Sequence, residues 1–137
     1  MSTTDEYGRT ALHYAADRGS LEDVVRLLDT EDVNERDHED WAPLHFAAQA
    51  ARPDVAWALL DAGADIDALT SKGYPAIYWA MVAAAGDPVA TIRLLRARGA
   101  DPAKETMKGY FGLSSPLDAV REWTNKPEIK TEFTDLL

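Results

Sequence analysis

The sequence predicts an all-α solenoid of about four helix-turn-helix repeats joined by β-hairpin-like finger loops. The first observation is a recurring phrase, which reads TALHYAA at residues 10–16, APLHFAA at 42–48, PAIYWAM at 75–81 and, more weakly, SPLDAV at 115–120. The second is its period, because Leu12, Leu44 and Ile77 recur at intervals of about 33 residues. A unit of this length cannot bury its apolar face alone, so its copies are expected to stack and share one core.

The 137 residues are predicted to form one domain, whose repeats fall at approximately 5–36, 37–69, 70–103 and 104–137. In the first repeat Thr10 can cap a helix that runs to about Asp17, and Gly19 ends that helix. A one-sided apolar stripe over residues 21–28 then predicts a second helix. The repeat is therefore expected to be a pair of antiparallel helices joined by a short turn.

The second and third repeats carry the same start and stop signals. Pro53 occupies a first helical position, and Gly63 can end that helix in the left-handed conformation. In the third repeat Asp87 and Pro88 cap and start the second helix, which closes before Gly99. The turn-rich segments that follow each second helix are predicted to project sideways as hairpin-like fingers.

The fourth repeat is the most altered, because Leu117 follows Ile77 at a clearly longer interval than Ile77 follows Leu44. Residues 105–114 hold about seven residues beyond the repeat period, which predicts a long surface finger or loop. Ser115 and Asp118 have the spacing of a capping box at the next helix. A last helix over about 127–137 is expected to cover the open end of the stack with Ile129, Phe133, Leu136 and Leu137.

These motifs resemble a known repeat. The run GRTALHYAA at residues 8–16, followed by Gly19 and paired aliphatic residues, resembles an ankyrin repeat, and LLDAGAD at 59–65 is similar to the ending of its second helix. The resemblance extends from about Asp5 to the C-terminus. It implies a concave face, formed by the finger tips and the exposed side of each first helix, that binds partner proteins. The chain departs from the family pattern at Asp40, Ala42 and Tyr78.

Composition and charge exclude several classes of function. The formal net charge of −10 and pI near 4.6 argue against nucleic acid or an anionic membrane as partner. Residues 1–67 hold 16 acidic and 5 basic side chains, whereas residues 68–137 hold 8 and 9. An acidic excess can serve solubility alone. The polar, acidic start and the lack of a long apolar run predict a cytoplasmic protein without membrane insertion.

No catalytic, metal or cofactor site is predicted. The chain has no cysteine, and its three histidines lie apart without a second ligand at helical spacing. The serines occupy turns and caps without a base partner, and the glycines are too dispersed to cradle a phosphate. By the resemblance, His13 and His45 are structural, with rings that bond the backbone near the fingers and the capping threonine. The sequence therefore favours a binding protein over an enzyme.

The candidate contact surface is a row of residues, each of which comes directly after the glycine of a finger or after the aspartate at the matching place. Arg9, Trp41 and Tyr74 recur at the repeat period, and Tyr110 follows after a slightly longer interval. Arginine and large aromatic residues are enriched in interface hot spots. The alternative is that these rings pack on neighbouring fingers. The full set of predicted partner-binding residues is Glu6, Tyr7, Arg9, Arg36, Glu39, Trp41, Lys72, Tyr74, Tyr110 and Trp123.

Other aromatic residues are interpreted differently. Trp57 falls in a column with Val25 and Ile92 and is predicted to lie in the core. A second column, also assigned to the core, contains Tyr14, Phe46 and Trp79. For Trp123 two alternatives stay open, since it could extend the contact face or fill space beneath the long finger.

The functional hypothesis combines the row of candidate contact residues with the acidic excess of residues 1–67. A basic protein partner would be anchored by Trp41 and Tyr74 and steered by Glu6, Glu35, Asp37, Glu39 and Asp40. A small acidic chain of this kind also resembles immunity or antitoxin proteins that neutralise a basic toxin enzyme, and it is expected to be a monomer when free. The alternatives are a scaffold or adaptor that binds a peptide in a signalling or membrane-linked complex, and, more remotely, an enzyme with an unrecognised carboxylate site.

Overall fold

A computed structural model describes residues 4–137 and has the predicted solenoid architecture. Within those residues, fingers connect four successive helical pairs, and the finger between the third and fourth pairs contains a β-hairpin. The elements are α1 (Ala11–Arg18), α2 (Leu21–Leu28), α3 (Pro43–Gln49), α4 (Pro53–Asp61), α5 (Ala76–Met81), α6 (Pro88–Ala97), β1 (Met107–Gly109), β2 (Gly112–Ser114), α7 (Pro116–Arg121) and α8 (Pro127–Thr131).

Two layers of helices share one core. The first helices pack in sequence, α1 on α3 and α3 on α5, and the second helices do the same from α2 through α4 and α6 to α8. The repeated aliphatic position, Leu12, Leu44, Ile77 and Leu117, is buried in every unit. Each unit thus hides its apolar face against its neighbours, which is why an isolated copy could not fold.

The helix starts follow the predicted local chemistry. The Thr10 hydroxyl accepts the backbone N–H of His13 at 3.4 Å, and the Asp87 carboxylate accepts that of Ala90 at 3.0 Å. Ser115 and Asp118 form the predicted capping box. The Ser115 hydroxyl accepts the Asp118 N–H at 3.1 Å, and the Asp118 carboxylate accepts the Ser115 N–H at 2.9 Å.

The extra residues of the fourth repeat form a β-hairpin. Strands β1 and β2 are antiparallel, with Met107 opposite Ser114. Met107 is buried, and the backbone N–H of Lys108 donates to the Lys72 carbonyl at 2.9 Å, so the hairpin lies along the preceding finger. Its tip holds Tyr110 and Phe111, whose exposed fractions are 96% and 98%.

The end of the stack differs from the prediction. Helix α8 ends at Thr131, and turns at Phe133 and Leu136 follow it. Ile129 and Phe133 are buried against the core as expected, but Leu136 and Leu137 are exposed. The prediction that a helix over 127–137 covers the end with all four residues is therefore wrong for the last two, because the turns direct them away from the face that Phe133 fills.

The prediction that Trp57 lies in the core is also wrong, since 53% of its surface is exposed. The column that placed Trp57 with Ile92 implies that Leu59 of α4 is equivalent to Leu94 of α6. The helix-ending hydrogen bonds from Ala64 and Ala100 instead reach the carbonyls of Leu59 and Leu95, so these two leucines are the equivalent residues. That alignment pairs Trp57 with an exposed arginine of α6, Arg93, on the outer surface rather than with a buried isoleucine.

Candidate protein-binding face

Three of the four row residues occupy equivalent places. Arg9, Trp41 and Tyr74 each directly precede the N-cap residue of a first helix. The residues before them have φ of 76°, 61° and 84°, a left-handed turn that glycine fills twice and Asp40 once. The first, second and third fingers, which end at Arg9, Trp41 and Tyr74, therefore return to their helices in the same way, and the three side chains emerge on the same side.

Tyr110 does not continue the row. In the fourth unit the residue before the N-cap is Ser114, at the end of β2, and Tyr110 lies at the tip of the hairpin. The prediction that Tyr110 is equivalent to Tyr74 is wrong, because the extra residues extend the finger beyond the turn that defines the row. Its role in partner binding stays a prediction that rests on its exposure.

His13 and His45 fix the fingers to the first helices. The Nδ1 atom of His13 accepts the Thr10 backbone N–H at 2.9 Å, and its Nε2–H donates to the Trp41 carbonyl at 2.9 Å. In His45, Nδ1 accepts the N–H of its own N-cap residue, and Nε2–H donates to the Ala68 carbonyl at 2.9 Å. The predicted structural role is confirmed, and the rings hold the backbone of the row in place.

Burial keeps both rings neutral. Desolvation lowers the pKa of His45 from 6.5 to about 4, against smaller opposing effects of the Ala68 carbonyl and nearby carboxylates. The pKa of His13 is also lowered, again mainly by desolvation. A neutral ring can accept at Nδ1 while it donates from Nε2, whereas a protonated ring would lose the acceptor.

Stability should therefore fall as the pH falls through the histidine range. The unfolded His45, with an ordinary pKa near 6.5, binds a proton more readily than the folded one, so its stabilisation is lost between pH 6.5 and about 4. We expect the free energy of unfolding to drop by about 2 kcal/mol from pH 7 to pH 5. Arg96 lowers the pKa of Asp135 below its ordinary 3.8, so the contribution of Asp135 to the pH dependence of stability falls below the range in which His45 titrates.

Urea denaturation followed by circular dichroism at pH 7, 6 and 5 measures this loss. His38→Gln is the comparison variant, because it removes an exposed histidine and leaves both buried rings in place. Equal free energies of unfolding at pH 7 and pH 5 would contradict the assignment of a buried neutral His45.

Asp37 and Arg9 form a structural ion pair. Arg9 Nε donates to Asp37 Oδ2 at 3.2 Å, and Asp37 Oδ1 accepts the backbone N–H groups of Glu39 and Trp41 at 2.9 and 2.8 Å. The Asp37 side chain is only 1% exposed. Asp37 therefore organises the second finger, and the prediction that it is a surface charge that steers a partner is wrong.

The charged residues of the predicted partner-binding set, and Tyr7 with them, lie on the fingers. Arg36 is exposed and donates to the carbonyls of Asp40 and Leu69 at 3.2 and 2.8 Å, which ties the second finger to the third. Glu6, Tyr7, Glu39 and Lys72 are exposed. These four side chains are available to a partner, whereas Arg36 already has a structural role.

The aromatic residues of the row meet in a cleft. The ring centroids of Trp41 and Trp79 are 4.5 Å apart, and those of Tyr74 and Trp79 are 5.6 Å apart. Beside these rings lies a cleft of about 320 Å³, which we call the aromatic cleft and which is lined by Glu39, Trp41, Thr70, Ser71, Lys72, Tyr74 and Trp79. Four of these residues, Glu39, Trp41, Lys72 and Tyr74, belong to the predicted set.

Three residues that line the cleft, Thr70, Ser71 and Trp79, are absent from the predicted set, and the aromatic one among them is Trp79. It is half-buried rather than part of the closed core, and the same holds for Tyr14 and Phe46 in its column. The helical period could have indicated this, because residue 79 lies one turn after Pro75, beneath the end of the finger. The row rings of Trp41 and Tyr74 thus both pack on Trp79 and also line an open cleft.

Trp123 packs against the core, and Lys126 Nζ lies 5.6 Å from its ring centroid. Of the two alternatives, the structure favours the one in which this side chain fills space, and its contact with a partner stays a prediction. Within residues 4–137, no three His, Asp or Glu side chains are grouped to hold a metal ion. No helix in the same range has the length and apolar character needed to cross a bilayer.

Sequence comparison agrees with this architecture. A sequence model described as ankyrin repeats (three copies) matches residues 1–70. The chain belongs to the ankyrin-repeat family. Ankyrin repeats are protein–protein interaction modules, so the coarse function of this chain is protein binding. The match ends after the second repeat, yet α5 and α6 pack as a third unit of the same kind.

Several curated proteins are similar to this ankyrin chain. Human protein phosphatase 1 regulatory subunit 27 is 39% identical over 74 residues, which cover 53% of this chain and 48% of the relative. Human BCL-6 corepressor-like protein 1 is 36% identical over 108 residues, or 77% of this chain and 6% of the relative. Human transient receptor potential cation channel subfamily A member 1 is 30% identical over 109 residues, or 78% and 10%. The chain thus spans about half the length of the first relative and small parts of the others.

Proposed function

We propose that this ankyrin chain is a non-catalytic module that docks a basic protein partner on the face formed by its fingers and first helices. The observation that carries the proposal is the aromatic cleft, where the rings of Trp41, Tyr74 and Trp79 stay partly exposed beside Glu39. Tryptophan and tyrosine side chains at such places often contribute about 2 kcal/mol or more to binding.

Charge supports a basic partner. Residues 1–67 carry 16 acidic and 5 basic side chains, and Glu6, Glu39 and Asp40 are exposed on the fingers of that half. A negative surface of this kind attracts a positive partner, raises the association rate and selects against acidic proteins. The rings then hold the bound partner, since they supply most of the apolar contact.

The names of the relatives support a regulatory use of binding. Two of them are called a phosphatase regulatory subunit and a corepressor-like protein. For this chain, the specific form of the proposal is inhibition of a basic enzyme, as an immunity or antitoxin-type protein would achieve it. The second candidate is an adaptor that binds a peptide, which the size of the cleft, about 320 Å³, favours.

The double substitution Trp41→Ala with Tyr74→Ala should weaken partner binding at least tenfold, because it removes two rings that line the cleft. The partner is first captured from the native cytosol and identified by mass spectrometry, and its affinity is then measured by isothermal titration calorimetry. Trp57→Ala is the matched control, because Trp57 is a tryptophan exposed on the outer helix α4. Unchanged affinity in the double variant, with its fold verified by circular dichroism, would reject this docking face.

Two further measurements separate the forms of the proposal. A steep loss of affinity between low and high salt is expected for a basic partner, whereas an apolar peptide would be nearly insensitive. If the partner is an enzyme and this chain is its inhibitor, an equimolar amount of this chain should abolish the turnover of that enzyme. If this chain is an adaptor, the turnover should stay unchanged. Turnover by the purified chain in a hydrolase panel would contradict a non-catalytic module.

A further inference from the structure

We infer that the aromatic cleft receives an arginine side chain of the partner, with its guanidinium against the rings and paired with the Glu39 carboxylate. This inference rests on the proposed function, since it names the group that the docking face would recognise. It is carried by a comparison of two successive repeats, one of which already holds an arginine of the chain itself.

The first repeat shows how the fold accommodates a guanidinium. Arg9 lies with its guanidinium carbon 5.1 Å from the ring centroid of Phe46, on the next first helix, and 4.9 Å from that of Tyr7. The same group is ion-paired with Asp37 at 3.2 Å. One aromatic face and one carboxylate of the neighbouring repeat therefore hold an arginine at the end of the first finger.

One repeat later the chain supplies the rings without the cation. Trp79 takes the place in α5 that Phe46 has in α3, and Trp41 takes the place of Arg9 before the N-cap. The Trp41 ring, 4.5 Å from that of Trp79, therefore fills the position of the Arg9 guanidinium, and a cation of the partner would enter from the open cleft beside these rings. Arginine and lysine side chains lie over the rings of Phe46, Trp57 and Trp123, but in residues 4–137 none lies over Trp41, Tyr74 or Trp79. These rings are the electron-rich faces to which a cation of a partner can bind.

The second site also has a carboxylate, but at a different position from that of Asp37 in the first site. Thr70 donates its backbone N–H to the Tyr74 carbonyl just as Asp37 does to that of Trp41, so a threonine replaces the buried carboxylate of the first site. Glu39 lines the cleft instead, and Ser71 orients it through a hydroxyl bond to Oε2 at 3.2 Å and a backbone N–H bond to its carbonyl at 3.0 Å. The second site thus combines rings with an accessible carboxylate.

Arginine fits this arrangement better than lysine does. A planar guanidinium can stack on an aromatic ring and still donate in its plane to a carboxylate, whereas an ammonium is a compact and strongly hydrated charge. Lys72 also lines the cleft and repels any incoming cation. The two charges give a test, because an arginine of the partner is attracted by Glu39 and repelled by Lys72, whereas a partner carboxylate would be attracted by Lys72 and repelled by Glu39.

The experiment titrates the whole chain with N-acetyl-arginine methylamide and follows the indole N–H signals by ¹H–¹⁵N NMR. Trp79 Nε1 is buried and without a hydrogen-bond partner in residues 4–137, so its signal should respond to a nearby ligand. We expect saturable shifts of Trp41 and Trp79, no shift of Trp57 on the outer surface, and at least fivefold weaker binding of the neutral citrulline analogue.

Two charge variants complete the test. Glu39→Gln should weaken binding of the arginine probe at least threefold, and Lys72→Gln should strengthen it. Both residues are exposed, so neither substitution should alter folding. Equal binding of the citrulline analogue, or weaker binding by Lys72→Gln, would overturn the arginine assignment.

The two proposals fail in different ways. If the variant with Trp41→Ala and Tyr74→Ala loses the partner while the arginine probe does not bind the cleft, the docking face stands and the arginine inference is wrong. If that variant retains the partner, the docking face itself is wrong, whatever the probe does.

Discussion

Phe133→Ala is expected to lower the free energy of unfolding by about 3–5 kcal/mol, the usual cost of truncating a large buried aromatic residue. Phe133 is fully buried and, with Ile129, closes the core at the end of the stack. The Arg96 guanidinium lies 5.6 Å from the ring centroid and pairs with Asp135 at 2.6 Å. The ring thus supports both the apolar seam and an ion pair above it.

Urea denaturation measures the total loss, and amide hydrogen exchange of α8 measures its local part. Terminal units of a stack have one neighbour only, so the variant should first expose α8 and then the rest. Leu137→Ala is the matched control, since Leu137 is 46% exposed and its truncation should cost less than about 0.5 kcal/mol. Equal losses for the two variants would contradict the assignment of Phe133 as the closing residue.

Gly73→Ala is expected to destabilise the third finger by about 2–5 kcal/mol, which combines left-handed backbone strain with overpacking. Gly73 has φ of 84°, and a Cβ atom there would lie 1.8 Å from the Thr106 carbonyl oxygen. The same approach allows the Thr106 hydroxyl to donate to the Gly73 carbonyl at 2.8 Å. An added methyl group must therefore push the hairpin of β1 and β2 away from the third finger.

Gly63→Ala separates the two causes. Gly63 has a similar φ of 96°, but in residues 4–137 no atom beyond Gly63 and its two chain neighbours lies within 4 Å of the position that a Cβ would take. Its substitution should cost only the backbone strain, about 1–2 kcal/mol. Thermal unfolding compares the two variants, and amide signals of Lys108 report the hairpin contact. A cost at Gly73 no greater than that at Gly63 would contradict the close approach of the fingers.

Much of the fold was predictable because its signals are local. The repeat period, the caps at Thr10, Asp87 and Ser115, and the helix start at Pro53 depend on short patterns within each unit. The roles of His13 and His45 followed from the resemblance to a family in which the same local phrase recurs. Such features need no knowledge of which repeat lies beside which.

The candidate site was predictable only in part. Position in the finger turn identified Trp41 and Tyr74, but the same rule placed Tyr110 in the row, because an inserted hairpin cannot be distinguished from a longer turn by counting residues. Trp79 was assigned to the core, since a repeated aromatic column is compatible with both burial and a cleft wall. The buried charge of Asp37 depends on an arginine that the preceding repeat supplies.

The sequence by itself determined that this chain is a stack of helical hairpins, that it contains about four of them, and which residues begin and end most helices. The tertiary structure alone decided that Trp57 faces solvent, that Phe133 rather than Leu137 closes the core, and that Trp41, Tyr74 and Trp79 share one cleft with Glu39. The physical reason is the range of the interactions. Caps and periods act within a few residues, whereas burial and clefts depend on the offset at which one repeat packs on the next.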